Sequence, residues 1–245
     1  MKSVKQFYCL CGFILACLGL DAAEPFRELT NPKGQSINAR PVGVYGDKIQ
    51  IEMQDGRKMS VSTSLFSQED ALYLDDWAIS YLAGKDQLLK VEAKRKEVRT
   101  KDYKKDVPLT SGGVAEDALE VEEFDGFYEV SLTNQSELKI DLLRVEYRIF
   151  SEQEDIAQRE SEDVRYTRKG GLLEYTLGPR ETKMQTTESV KLVETKLGKG
   201  IVWSGGGDLK QKAKMAGVWC RVYSGDTMIQ EFAQPTVLMK RANWK

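Results

Sequence analysis

The chain has 245 residues, which is enough for one large domain or two small ones. Its 36 Lys and Arg residues nearly balance 38 Asp and Glu residues, so no overall field draws it to nucleic acid or to an anionic membrane. Histidine is absent, which removes the commonest general base and the commonest metal ligand. We therefore expect no cofactor, no metal and no histidine-based catalysis.

Residues 1–23 have the pattern of an export signal. Lysines near the start precede an uncharged apolar run at 7–20, and Ala22 and Ala23 supply small residues for cleavage. The run is shorter than the apolar stretch that a membrane-spanning helix needs. The sequence therefore predicts an exported protein, periplasmic or extracellular.

The cysteines offer a second interpretation of the same segment. Cys17 follows Leu15 and Ala16, so a lipoprotein signal with Cys17 lipidated is the alternative to plain secretion. Either way, Cys220 is the only cysteine left in a chain cut after residue 22 or 23. A single thiol forms no internal disulfide, and no histidine can activate it, so we expect Cys220 to be buried on a strand.

Residues 34–77 have the clearest local pattern. Apolar and polar residues alternate at 49–53 and at 59–63, which predicts two half-buried strands. The Asp-Gly pair at 55–56 is typical of a tight hairpin turn between them. Ser67 precedes two acids and a run of helical periodicity, so it is the predicted N-cap of a helix.

The order of these pieces resembles the first homology domain of the fungal endocytic adaptor Sla-one, copies of which occur in exported bacterial proteins. The family pattern is a valine-rich strand, a D-G-K-V turn and strand, a D-G-K hairpin, and L-S-x-x-D-x-x-Y. This chain departs from the L-S pair of that pattern, because Phe66 lies between Leu65 and Ser67. Within 26–77 the matching residues are Gly34, Ala39, Val42, Gly43, Val44, Gly46, Asp47, Lys48, Ile49, Asp55, Gly56, Arg57, Val61, Leu65, Ser67, Asp70, Tyr73 and Trp77. The resemblance implies an SH3-like small barrel that binds short peptide motifs, and it implies no chemistry.

A peptide site is predicted on this barrel. Basic residues on or beside the hairpins could hold a peptide carboxylate or acidic side chain, with an aromatic ring as a platform. The predicted residues are Tyr45, Lys48, Arg57, Lys58 and Tyr73. Ordinary surface charge is the competing interpretation.

The segment between residues 88 and 106 contains eight basic and four acidic residues. This segment is predicted to be a solvated, charged helical linker, with a basic surface for an anionic envelope lipid or polysaccharide as the alternative. Beyond it, short strands at regular intervals predict a β-sandwich of immunoglobulin or fibronectin type, ending in a strand at 237–239. The predicted organisation is a signal peptide at 1–23, a barrel with a C-terminal helix at 24–83, the linker at 84–108 and the sandwich at 109–245.

Three other motifs contain residues that could carry chemistry. The acids Glu120, Glu122 and Glu123 could form a carboxylate pair or a calcium site, but alternation places two of them on one solvent face. The glycines at 205–207 lack the lysine and spacing of a phosphate loop and are interpreted as a flexible hairpin loop. Asn134 opens an Asn-Gln-Ser triplet that is interpreted as a turn signal.

The sequence thus predicts a mainly β, non-catalytic, exported binding or scaffold protein of the cell envelope. Its partner would be a protein or peptide, with a polysaccharide as an alternative, and it would touch the membrane only through a lipid anchor. Two other functions stay open: a carboxylate-dependent glycoside hydrolase or accessory carbohydrate-binding protein, and a structural subunit that assembles through sandwich edges.

Overall fold

A computed structural model describes residues 24–153, 165–201 and 210–244. The export signal with Cys17 and the glycine loop at 205–207 lie outside the described residues. The fold is mainly β with little helix, as predicted. It consists of a small N-terminal sheet with one long helix, followed by a larger, curled β-structure.

The N-terminal unit is an antiparallel four-stranded meander in the order β1-β2-β3-β4. Its strands are β1 Arg27–Thr30, β2 Ser36–Tyr45, β3 Lys48–Met53 and β4 Lys58–Val61. The predicted Asp-Gly hairpin joins β3 to β4, and Gly56 has the positive φ of 83° that this turn requires. Gly46, with a φ of 62°, turns β2 into β3.

A single 3-10 turn, Thr63–Leu65, leads into helix α1, Gln68–Ala83. The predicted N-cap is confirmed, because the Ser67 hydroxyl accepts a hydrogen bond from the backbone N–H of Asp70 at 3.3 Å. Acidic residues occupy the first turn, where the helix dipole favours them.

Helix α1 has two buried faces and joins two cores. One face packs on the small sheet through Leu74 and Ala78. The other contributes Ile79 and Leu82 to the core of the larger β-structure. Val44 of β2 also contacts both cores, so the two units share a packed junction.

Among the described residues, the larger unit has eight antiparallel strands in two groups. They are β5 Leu89–Pro108, β6 Val114–Asn134, β7 Ile140–Gln153, β8 Arg165–Leu177, β9 Thr182–Thr186, β10 Val190–Leu197, β11 Lys210–Ser224 and β12 Thr227–Gln234. β5, β6, β9 and β10 form one group, β7, β8, β11 and β12 the other, and the pairing of β10 with β11 connects them. The two groups face each other across one apolar core, with Tyr175 of β8 donating a hydrogen bond to the Val130 carbonyl of β6 at 2.9 Å.

The predicted helical linker at 84–108 is wrong for most of its length. From Leu89 onward it is strand β5, paired with β6 along nearly its whole length, so the larger β-structure begins near residue 89 instead of 109. Leu89, Val91 and Ala93 alternate into the core, which is strand periodicity. Several of the charges that suggested a solvated helix instead pair with acids of β6, across the hairpin.

The predicted strand at 237–239 is also wrong, because the chain forms a short helix there, α2 Leu238–Arg241. Leu238 buries its side chain with Phe150 and Trp219 on the outer side of β7 and β11. Trp244 then packs edge-on against Trp219, with 5.2 Å between ring centroids. Because Leu238 is buried there, α2 packs against the outer face of the sheet and does not pair with a strand.

Candidate functional site

The structure does not bring the five predicted peptide-binding residues together. Lys48 begins β3, whereas Arg57 and Lys58 lie at the hairpin beyond its other end. A six-residue strand puts roughly 16 Å between its two ends. Arg57 also forms an ion pair with Asp55 of its own turn, with 2.7 Å between Nε and Oδ2. The predicted basic cluster is therefore divided between two turns.

The two predicted tyrosines have different environments. Tyr73 lies under the guanidinium of Arg27, 3.9 Å from its ring centroid, and burial raises the pKa of Tyr73. Its ring is already used for packing between β1 and α1. Tyr45 is 62% exposed beside Lys48, so a platform at this single turn stays a prediction.

The most unusual feature is the outer part of the β5–β6 hairpin, residues 98–123, here called the ribbon. Most of its β5 strand is exposed, whereas its β6 strand buries Ala118 and Val121. β10 pairs with β6 over part of this length. The pairing starts at Leu197, which lies opposite Leu119, and continues towards the core. Gly112 and Gly113, both with positive φ, form the turn at its tip. The ribbon exposes four large apolar side chains, Val98, Tyr103, Leu109 and Val114.

Opposite charges hold the two strands of the ribbon together. The charged residues of β5 are mostly basic, whereas those of β6 are all acidic. Lys104 Nζ lies 2.8 Å from Asp117 Oδ2, and this hydrogen bond raises the pKa of Lys104. Arg99 Nη2 lies 3.1 Å from Glu122 Oε1. The basic run that suggested an anionic-lipid surface is therefore partly neutralised within the hairpin.

One like-charged pair in the ribbon is compensated by arginine. Asp102 and Glu122 lie directly opposite each other in the register of β5 and β6. Arg99 Nη2 contacts both, at 3.0 Å from Asp102 Oδ2 and 3.1 Å from Glu122, and Lys196 approaches Glu122 to 3.7 Å. Glu122, one of the three acids that the sequence singled out for a carboxylate pair, is thus ion-paired.

The acids of the ribbon do not converge on a metal site. Glu123 accepts a hydrogen bond from the Tyr103 hydroxyl at 3.2 Å instead of facing another acid. Within 24–153, 165–201 and 210–244, no group of three or more acidic or cysteine side chains could hold a metal ion.

β5 forms the outer edge of the ribbon. It lies at the end of the strand order and, among the described residues, pairs only with β6. The backbone N–H and C=O groups on its other side are free to pair with an added strand. Lys94, Lys101 and Lys105 make no ion pair with any residue that the structure describes. The basic strand is therefore the outer edge of the hairpin, and the acidic strand lies on its inner side.

A second candidate site is a cleft of about 430 Å³ where the small sheet, α1 and the larger β-structure meet. Four turns converge on it: β2–β3, α1–β5, β6–β7 and β8–β9. The lining residues are Val44, Gly46, Leu82, Asp86, Gln87, Gln135, Ser136, Glu137 and Arg180. Clefts between domains are common ligand sites.

The backbone of this cleft is unusual at two positions. Asp86 and Arg180 have φ values of 55° and 57°, in the left-handed region that non-glycine residues seldom adopt. Arg180 Nε donates to Glu137 Oε1 at 2.8 Å, an exposed ion pair at one wall of the cleft. Asp86, Gln87 and Gln135 are exposed to solvent at the rim of the cleft, and within the described part of the chain their side chains make no hydrogen bond to the protein. They are therefore available to a ligand.

Two further sequence interpretations are confirmed. Cys220 is fully buried, and burial raises the pKa of its thiol to about 12, so it is a neutral core residue. Asn134 is also buried, and its amide donates to the carbonyls of Leu138 at 2.6 Å and Gly178 at 2.8 Å. Its triplet is therefore a structural turn.

Sequence reasoning missed both the ribbon and the cleft. The alternation of Leu89, Val91 and Ala93 was a usable signal for β5, but the charges beyond it obscured the pattern. The cleft has no local signal, because its lining comes from turns between 44 and 180 that only the fold brings together.

Comparison with known proteins assigns no family. No protein-family model matches the chain, and no curated protein matches it. Among the described residues, no helix is both long and apolar enough to cross a bilayer.

Proposed function

We propose that this chain is an exported, non-catalytic binding or scaffold protein of the cell envelope. It recognises an extended, acidic segment of a partner protein along the outer edge of β5. The observation that carries this proposal is the ribbon: a long hairpin that leaves the core with its basic strand outermost. The outer part of β5 buries no side chain, so a contact with a partner explains why this long edge strand is present.

The chemistry of the edge defines the partner. An extended peptide can add to a free strand edge through main-chain hydrogen bonds, while side chains on alternate positions give specificity. Free lysines on β5 repel a second β5 strand, which discourages edge-to-edge self-assembly. They attract carboxylates instead, and the exposed side chains of Val98 and Tyr103 add apolar contacts.

The arrangement of ionisable groups supports binding over catalysis. Glu122 of the ribbon is ion-paired, Glu123 is hydrogen-bonded, and Cys220 is a neutral buried thiol. Burial raises the pKa of Asp75, which is the shift expected of a catalytic acid. Asp75 lies on α1, however, beside Thr63 and outside both candidate sites. A carboxylate-dependent glycoside hydrolase would instead need two facing carboxyl groups with separated pKa values.

A peptide-display selection on the complete protein tests the proposed function. Random decapeptides selected for binding should be enriched in Asp and Glu that alternate with β-branched or aromatic residues. The variant Lys101→Gln/Lys105→Gln should bind the selected peptides about tenfold more weakly, since two charge-assisted contacts are lost. The matched control, Lys33→Gln/Lys240→Gln, removes two exposed charges elsewhere and should bind normally. Selected peptides that bind both variants equally would contradict the edge as the site.

Export is tested separately, at the mature N-terminus. Mass spectrometry of protein purified from the envelope fraction should find a chain that begins after Ala22 or Ala23, or at a lipidated Cys17. A chain that retains residue 1 and stays in the cytoplasm would contradict the proposed location.

A further inference from the structure

We propose that the junction cleft binds an uncharged saccharide, at a site separate from the ribbon. The proposal goes beyond partner recognition by the β5 edge and does not depend on it. Its basis is the lining of the cleft, in which free amide side chains stand beside a small apolar patch.

The free polar groups of the cleft suit hydroxyl recognition. Gln87 and Gln135 each offer an amide that both donates and accepts hydrogen bonds, and the Asp86 carboxylate accepts them. A sugar hydroxyl also donates and accepts, so it satisfies such groups in pairs. Val44, which is partly exposed, adds a small apolar surface against which the C–H face of a sugar ring can pack.

The charge of the lining opposes anionic ligands. Arg180 is the cation of the cleft wall, but its guanidinium already pairs with Glu137 at 2.8 Å. The remaining charge is the Asp86 carboxylate, which leaves the lining with a small negative excess. A phosphate or carboxylate ligand would meet repulsion here, whereas a neutral ligand would meet none.

The backbone of the cleft is held in place before any ligand arrives. The N–H of Gln135 donates to the Leu88 carbonyl at 2.8 Å, and the N–H of Arg180 donates to the Ser136 carbonyl at 3.1 Å. The N–H of Gln87 donates to the Leu82 carbonyl at 2.9 Å. The first two bonds connect the β6–β7 turn to its neighbours, and the third closes the α1–β5 turn on the end of α1. The left-handed residues Asp86 and Arg180 lie in turns held by these bonds. A preformed site loses little entropy on binding.

The size of the cleft limits the size of the ligand that it can hold. A volume of about 430 Å³ lies within the usual range for small-molecule sites and accommodates one or two sugar rings. A longer chain could pass through, since the cleft opens to solvent among four turns. The expected ligand is therefore a short stretch of a neutral glycan.

Titration of the complete protein with defined oligosaccharides tests the inference. Cellotetraose, maltotetraose and chitotetraose are added separately, and a heparin-derived tetrasaccharide serves as the anionic comparison. We expect at least one neutral tetrasaccharide to shift the side-chain amide NMR signals of Gln87 and Gln135 and to saturate them. The anionic tetrasaccharide should bind more weakly at the same positions. If no neutral tetrasaccharide moves these two signals at about 10 mM, where even a weak complex is populated, or if the anionic one binds tighter, the inference is wrong.

Paired variants then locate the site. Gln87→Ala/Gln135→Ala should weaken binding about tenfold or more, since two hydrogen bonds are lost. The control Gln54→Ala removes an exposed amide at the β3–β4 turn, at the far end of β3 from the cleft, and should bind as the parent does. Equal weakening by both changes, or by neither, would overturn the proposed location. Peptide binding at the ribbon is measured on the same variants and should be unchanged, so the two sites can fail separately.

Discussion

The guanidinium of Arg27 lies 2.8 Å from the carboxylate of Asp70, an ion pair that ties the first strand to the N-terminus of α1. Asp70 is only 6% exposed, and its other oxygen accepts the backbone N–H of Thr30 at 2.8 Å. The Ser67 hydroxyl donates to the same oxygen at 3.1 Å, and the Arg27 group covers the Tyr73 ring. The serine, aspartate and tyrosine of the L-S-x-x-D-x-x-Y pattern thus act together in packing.

This arrangement predicts that Asp70→Ala is strongly destabilising. The change leaves a partly buried arginine and the Thr30 N–H without their acceptor, and it should cost about 2–3 kcal/mol of unfolding free energy. Urea denaturation measures the loss. Asp76→Ala, at an exposed position of the same helix, is the control and should change stability by less than about 0.5 kcal/mol. Equal effects would show that the ion pair is not structural.

Alkaline pH should weaken the larger core. Burial raises the pKa of Tyr128 to about 12 and that of Cys220 to about 12, above their ordinary values of 10.0 and 9.0. Both groups are neutral when folded, so their stabilising contribution is complete below about pH 9 and is lost as the pH rises towards about 12. We expect the melting temperature to fall steadily between about pH 9 and pH 11. Tyr128→Phe should reduce this fall, whereas Tyr45→Phe, at an exposed position, should not.

The C-terminal aromatic residue should stabilise the outer face of the larger unit. Trp244 lies against Trp219, and the guanidiniums of Arg148 and Arg221 lie 4.8 and 4.3 Å from its ring centroid. Trp244→Ala removes these contacts together and should cost about 2 kcal/mol in chemical denaturation. Lys240→Ala, exposed on α2, is the control and should be close to neutral. A Trp244 variant as stable as the parent would show that α2 is not anchored by this ring.

The ribbon should open locally before the rest of the protein unfolds. Residues 99–119 pair across a hairpin that lacks a buried core along most of its β5 strand, whereas 89–93 alternates into the core. Hydrogen exchange followed by mass spectrometry should find faster exchange at 99–119 than at 89–93 and 128–134. High salt should increase the difference, because it screens the cross-strand ion pairs. Uniform protection along β5 would contradict this.

Features with local signals were predictable from the sequence. The Asp-Gly hairpin at 55–56 and the Ser67 cap depend on neighbouring residues, so the order of amino acids alone is enough to locate them. The alternating strands of the larger unit were equally visible, and the mainly β fold followed from them.

Features decided by distant partners were not predictable. β5 is a strand because β6, beyond its own hairpin, supplies both the ladder and the opposite charges. α2 lies outside the sheet because Leu238 packs beside Phe150 and Trp219. The cleft has no sequence pattern at all, since four turns that are far apart in the chain form it. Tertiary context overrides local propensity in each case.

The most direct test of the proposed function is hydrogen exchange on the complete protein with and without a selected acidic peptide. If the peptide adds as a strand to the ribbon, new protection should appear at alternate β5 amides between 98 and 108, those that point away from β6. The other β5 amides already bond to β6 and should change little. Protection confined to another surface, or binding without any new protection along this edge, would contradict recognition through β5.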